Sequence, residues 1–223
     1  MIHALDLETI RLKFRNNIYL PATKRLRQKK LKCKNFTIIS NNCWAGTVYE
    51  SYGIKKMSPT VGMFIMPKDY IKFVMNIHYY LDQQLEFIEP EDSKWKNELK
   101  DRKKWKKYPI GKLDDVELQM LHYQDKKTAR SKWESRVKRV NWNKLIFKFN
   151  DQNGATKEDM EKWIQIPLDH KLTFVAKPDL KITNEIILIK QPRNSESGIK
   201  ASKEPLGNSR YLNVTKIINE LEP

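Results

Sequence analysis

Cysteine is scarce in this chain: there are two among 223 residues, Cys33 and Cys43. A secreted domain of this size held by disulfides carries more, so two free thiols are expected. The four histidines, at 3, 78, 122 and 170, show no zinc-type spacing with them. Long apolar runs are missing as well. None approaches the roughly 18 residues that a membrane-spanning helix needs. The start, MIHALDLETIRLKF, lacks the basic, apolar, small order of a secretory signal. These absences predict a cytoplasmic protein. Internal repeats are also absent.

Acid is outnumbered by base, 27 to 43, for a net charge of +16. Such a balance suits nucleic acid, but its distribution argues otherwise. Residues 24–34 hold seven basic and no acidic residues, and residues 94–107 hold eight basic and two acidic. These two segments carry most of the excess. Trp95 and Trp105 stand among the second set of lysines. That mixture fits an anionic membrane surface or a solvated face with its tryptophans turned inward. No nucleic-acid module accompanies the charge, so nucleic acid ranks last.

Apolar residues make up 39% of the chain, enough for one sizeable core. Short β-branched runs at 36–39, 61–66, 145–149, 172–175 and 186–189 read as buried strands. Leu85–Ile88 and 116–123 read as further strands, with a turn at 108–111 between them. A helix is expected from Tyr70 to Leu81, opened by Pro67. Others are expected over 126–139 and 157–164, the latter capped by Thr156 with Asp159 three residues on. The alternation of strand and helix predicts an α/β fold: a mostly parallel sheet flanked by helices, three-layered and Rossmann-like. A basic helical segment (1–34), an α/β core (35–191) and a loop with a closing helix (192–223) are the expected parts. In such folds ligands gather beyond the carboxyl ends of the strands, which singles out the loops 40–46, 122–126 and 150–156.

The first loop is Ser40-Asn41-Asn42-Cys43-Trp44. Its amides suit sugar hydroxyls, a phosphate or a carbonyl, and Trp44 suits stacking. Cys43 is a candidate nucleophile, although free cysteine is commonly buried. Thr60 precedes the next strand. His122 is the best placed general base, because imidazole titrates near neutrality, and Tyr123 is placed to orient it. Asp115, in the Asp114-Asp115-Val116-Glu117 cluster, is a candidate catalytic acid and the candidate ligand of a divalent metal. Asp151 is the second acid, beside Asn150. Arg136 and Arg139 suit a diphosphate. Each has a plainer alternative: turn, cap, core or solvated face.

Five segments in order resemble the blocks of a bacterial family of exopolysaccharide or capsular polysaccharide biosynthesis proteins. They are NFTIISNNCWAGTVYESYGI (35–54), SPTVGMFIMPKDYIKFVMN (58–76), YPIGKLDDVELQMLHY (108–123), KWESRVKRVNWNKLIFKFND (132–151) and KLTFVAKP (171–178). Ala45 stands where those blocks have glycine, and Asn153-Gly154-Ala155 replaces an Asp-Gly-Cys-like turn. The resemblance implies assembly or decoration of a surface polysaccharide. The leading expectation is a glycosyltransferase-like enzyme with a nucleotide-sugar donor, a glycan or lipid-linked acceptor, and contact with the inner membrane face. Acyl or other group transfer through Cys43 or His122 is the second. A non-enzymatic basic protein binding anionic glycan, lipid or nucleic acid is the third.

Overall fold

The computed structural model describes residue 10 and residues 13–191 and 198–222. In chain order its elements are α1 (Leu20–Lys30), β1 (Thr37–Ser40), α2 (Trp44–Tyr52), β2 (Phe64–Ile65), α3 (Pro67–Met75), α4 (Ile77–Asp82) and β3 (Glu86–Ile88). They continue with α5 (Lys96–Leu99), β4 (Ile110–Leu113), β5 (Val116–Gln119), α6 (Lys126–Val137), β6 (Leu145–Asn150), α7 (Lys157–Gln165), β7 (Lys171–Val175), β8 (Ile186–Leu188) and α8 (Val214–Asn219).

The fold is α/β, with two four-stranded sheets. One is parallel, in the order β1-β6-β7-β8, and the other antiparallel, in the order β2-β5-β4-β3. The antiparallel sheet lies in sequence between β1 and its partner β6. The parallel sheet is apolar on both faces, as a covered sheet must be. Ile39, Phe147 and Phe149 face a core shared with the antiparallel sheet and with α3 and α7. Ile38, Ile146 and Phe174 face a second core under α2 and α8. The Tyr70 hydroxyl donates to the Ile39 carbonyl at 2.8 Å, and the Ile65 N–H to the Asn41 carbonyl at 3.0 Å. The first bond ties α3, and the second β2 of the antiparallel sheet, to the carboxyl end of β1.

Several expectations shift. Residues 108–111 are not only a turn: Ile110 to Leu113 form β4, because Glu86–Ile88 offers it an antiparallel partner. The strand expected over 61–66 shortens to two residues, since Gly62 takes φ +84°. The helix expected over 70–81 breaks at Asn76, whose φ and ψ of −129° and 45° leave the helical region, giving α3 and α4. The basic amino-terminal helix packs onto the core: the Arg27 side chain donates to the Ser51 carbonyl at 3.0 Å. Among the described residues no helix is long and apolar enough to cross a membrane.

Candidate functional site

Apolar strands end where the chain turns polar, and here three such ends meet. The residues after β1, β5 and β6 surround a cavity of about 470 Å³, with the 94–107 segment as one wall and Ala201 and Ser202 as another. Asn42, Cys43, His122 and Gln152 bring the polar chemistry. Arg102, Lys103 and Lys104 bring positive charge, while Phe64, Tyr108 and Leu121 form the apolar floor.

His122 is held by its backbone, whose N–H donates to the Gly62 carbonyl at 3.0 Å. Its ring is open to solvent on one side and backed by protein on the other. Lost solvation on the backed side, then the charge of Lys104, lowers its pKa from the usual value. The imidazole is therefore neutral at pH 7, the state a general base requires. Cys43 is half-buried and donates its S–H toward the Met63 carbonyl at 3.6 Å. Burial, reinforced by Glu204, pushes its pKa up to about 11. It is a thiol at neutral pH, a poor nucleophile in this state. Arg102 donates to Asn153 Oδ1 at 2.7 Å and lies over the Phe64 ring at 5.3 Å, which fixes its guanidinium beside the floor.

Behind the cavity lies a buried charge pair. Lys148 and Glu204 are both fully buried and form a salt bridge. Lys148 Nζ also donates to Asn42 Oδ1 at 2.9 Å and stands about 6 Å from the Trp44 and Phe174 rings. Glu204 accepts from Asn150 Nδ2 at 2.7 Å and from Asn42 Nδ2 at 3.2 Å. Asn42 Nδ2 reaches Gln152 Oε1 at 2.9 Å as well, so the network ends at the cavity wall. Burial opposes both charges, lowering the Lys148 pKa and raising that of Glu204. The hydrogen bonds to both groups offset part of that cost.

The structure divides the expected site residues sharply. Asn42, Cys43 and His122 come together in the cavity. Ser40, Asn41, Trp44, Thr60, Tyr123, Arg136 and Asn150 instead build its frame. The Ser40 hydroxyl donates to the Asn42 carbonyl at 2.6 Å, and Asn41 donates to Asn150 Oδ1 at 2.8 Å. The Trp44 indole N–H donates to the Pro205 carbonyl at 2.8 Å, and Thr60 accepts the Ser40 N–H at 3.1 Å. Tyr123 and Arg136 both donate to the Val61 carbonyl, at 2.6 and 2.9 Å. Arg139 folds back on the Ser135 carbonyl at 2.9 Å. None of these is turned toward a diphosphate.

The two aspartates are also reassigned. Asp151 is fully buried, and its carboxylate accepts N–H groups from Ala176, Lys177 and Ile199 at 2.7, 2.9 and 2.6 Å. It ties β6, the end of β7 and the carboxyl-terminal segment into one corner. Asp115 sits in the β4–β5 turn, at the opposite end of β5 from His122, bound to Lys72 and Tyr80. Its neighbours diverge: Asp114 meets Tyr79, and Glu117 turns inward to Ser93. Among the described residues no three His, Cys, Asp or Glu side chains are grouped to hold a metal ion, and Asp115 is not part of such a group.

Sequence reasoning missed Arg102, Lys103, Lys104, Gln152, Lys148 and Glu204. The lysine inside the apolar run Leu145-Ile-Phe-Lys-Phe149 was the available signal for Lys148, because a charge in a doubly covered strand needs a partner. Trp95 and Trp105 do turn inward, Trp95 donating to Asp69 Oδ2 at 2.8 Å and Trp105 packing against a small apolar cluster of Phe64, Met66, Leu99, Tyr108 and Ile110. Arg102, Lys103 and Lys104, just before Trp105, line the cavity.

An uncharacterized protein of Haemophilus influenzae is 31% identical to this chain over 154 residues, which are 69% of this chain and 68% of that protein. The family model described as a domain of unknown function, DUF1919, matches residues 14–222, and the chain belongs to that family.

Proposed function

We propose that this cavity is the active site of a transferase that moves a sugar from a nucleotide-sugar donor to a hydroxyl of a glycan or lipid-linked acceptor, in surface polysaccharide assembly. One observation carries the reading: a histidine of lowered pKa, three amide side chains and three cations converge on one cavity at the carboxyl edge of the parallel sheet. That is where three-layer, Rossmann-like folds take their nucleotides, and the parallel half of this fold is read in that way.

The residues divide the work as the chemistry requires. His122 takes the proton of the acceptor hydroxyl as its oxygen attacks the anomeric carbon. The bond from that carbon to the diphosphate breaks, and the departing negative charge is met by Arg102, Lys103 and Lys104. Asn42 and Gln152 hold sugar hydroxyls, with Asn42 locked by the buried network behind it. His122 then releases its proton to solvent. The ordered resemblance of five segments to polysaccharide biosynthesis proteins supports the setting.

The test is binding and turnover with a panel of nucleotide sugars. Expected is a raised melting temperature with at least one donor, lost in Arg102→Ala with Lys104→Ala, and turnover lost in His122→Ala with donor binding kept. If no donor shifts the melting temperature, with or without divalent metal, the proposal fails. Cys43 in the same cavity supports a second reading, acyl transfer through the thiol. Its high pKa ranks it lower, and full activity of Cys43→Ala would remove it.

A further inference from the structure

The amino-terminal helix carries a feature the cavity does not use. Phe14, Ile18, Ala22 and Leu26 recur every four residues and are all exposed, the three large ones by 56%, 56% and 61%. Ile10, four residues before Phe14, is 54% exposed. A four-residue repeat drifts around an ideal α-helix. Here residues Arg15–Tyr19 form a π-helical turn, which rotates less per residue and offsets part of that drift. The result is one apolar row facing outward, on a helix whose other side meets the core.

Among the described residues of this segment the charge is of one sign. Residues 10–34 contain ten lysines and arginines and no acid. Lys13, Arg25, Lys29 and Lys30 are exposed near the row. Under the helix, a cleft of about 560 Å³ is lined by Arg15, Arg27, Lys30 and Arg210, while Glu204, the one acid there among the described residues, is turned to Lys148.

We infer that this helix is a docking surface for an anionic lipid bilayer. It lies in the interface with Phe14, Ile18 and Leu26 among the acyl chains, the lysines at the phosphates and the cleft over a headgroup. Large side chains on one flank and one-sign charge on the other are what an interfacial helix needs. A nucleic acid would use the lysines and leave the phenylalanine and isoleucine exposed. A second copy of this chain would set ten cations against ten. Docking also reaches the cavity, because Arg15 donates to the carbonyl of Ser202, a residue of its wall. The inference does not depend on the proposed transfer reaction.

The experiment is co-sedimentation of the full chain with vesicles of phosphatidylglycerol and phosphatidylcholine, or of phosphatidylcholine alone. Expected is sedimentation with the anionic vesicles only, falling steeply as salt rises. Phe14→Ser with Ile18→Ser should weaken it at least ten-fold with an unchanged circular dichroism spectrum. An Arg25→Gln, Lys29→Gln, Lys30→Gln variant should weaken it and flatten the salt dependence. The inference is overturned if the wild-type chain ignores anionic vesicles at low salt, or if the serine variant binds them as well. It is equally overturned if the row instead closes a dimer that the serine variant dissolves, or if heparin binds while vesicles do not.

Discussion

At the scale of single residues, Lys148 and Glu204 set the terms. Each is buried, which pushes both toward their neutral forms, and each is held by the other and by Asn42 or Asn150. Removing one partner leaves the other as an isolated buried charge, which costs about 3–5 kcal/mol. Lys148→Met should therefore lower unfolding free energy in urea by about that amount. The double variant Lys148→Met with Glu204→Gln should lose less than the two single losses added, because it leaves no charge stranded. His122 allows a prediction about pH. Its pKa lies below the usual value near 6.5, partly through Lys104. A rate that needs the neutral ring is thus constant through neutrality and falls only as pH drops through that lowered value. Lys104→Gln removes one lowering cause, so the acid limb should move to higher pH. Rate measurements, or the imidazole resonances of His122 in a pH titration, follow the shift directly.

At the scale of elements, caps and turns explain which parts of the fold the sequence revealed. Thr156 and Asp159 were legible as a capping box, and the structure closes it: the Thr156 side chain accepts the Asp159 N–H at 3.2 Å, and Asp159 accepts the Thr156 N–H at 2.9 Å. Thr156→Ala should cost about 1 kcal/mol in chemical denaturation, because the α7 start then leaves a backbone donor without its side-chain partner. Local signals of that kind reach three or four residues. Residues 108–111 read as a turn, but Ile110–Leu113 is paired on both sides, with Glu86–Ile88 over twenty residues earlier and with Val116–Gln119 across the Asp114-Asp115 turn. Nothing in the polar stretch after Pro192 marked Glu204 as buried. The 94–107 segment looked like surface, and only its place in the tertiary fold brings Arg102, Lys103 and Lys104 to the cavity. Gly198 is a further case: it stands at φ +75°, and a Cβ there would meet the Asp151 carbonyl oxygen at 2.2 Å. Gly198→Ala should lower stability by more than the ~1 kcal/mol of an ordinary glycine replacement. It should also raise the Michaelis constant, since the displaced segment carries Ala201 and Ser202 of the cavity wall.

At the scale of the whole molecule, the α/β class was legible because the buried strands of the parallel sheet are continuous apolar runs. Three strands of the second sheet, β2, β3 and β5, were legible as well, but β4 was read in part as a turn, and nothing in the sequence separated these strands into an antiparallel sheet of their own. The same long-range arrangement scatters the site. Asn42, His122 and Gln152 come from three separate parts of the chain, and Glu204 from a fourth. Expectation placed the loops after β1, β5 and β6 at one edge, and they do meet there. The acids expected among them do not, since Asp151 is consumed by three backbone donors and Asp115 lies at the far end of its strand.

The insertion of one sheet within the other has a consequence for synthesis. Thr37 pairs with Leu145, and Ser40 with Lys148, over a hundred residues later in the chain. At a translation rate of roughly 5–20 residues per second, β1 waits about 5–20 seconds before its neighbour leaves the ribosome. The antiparallel sheet is complete by Gln119 and has every strand it needs before then. It should be the first part of the nascent chain to resist protease. The apolar edge of β1 stays unpaired through that interval and is the segment most in need of a chaperone.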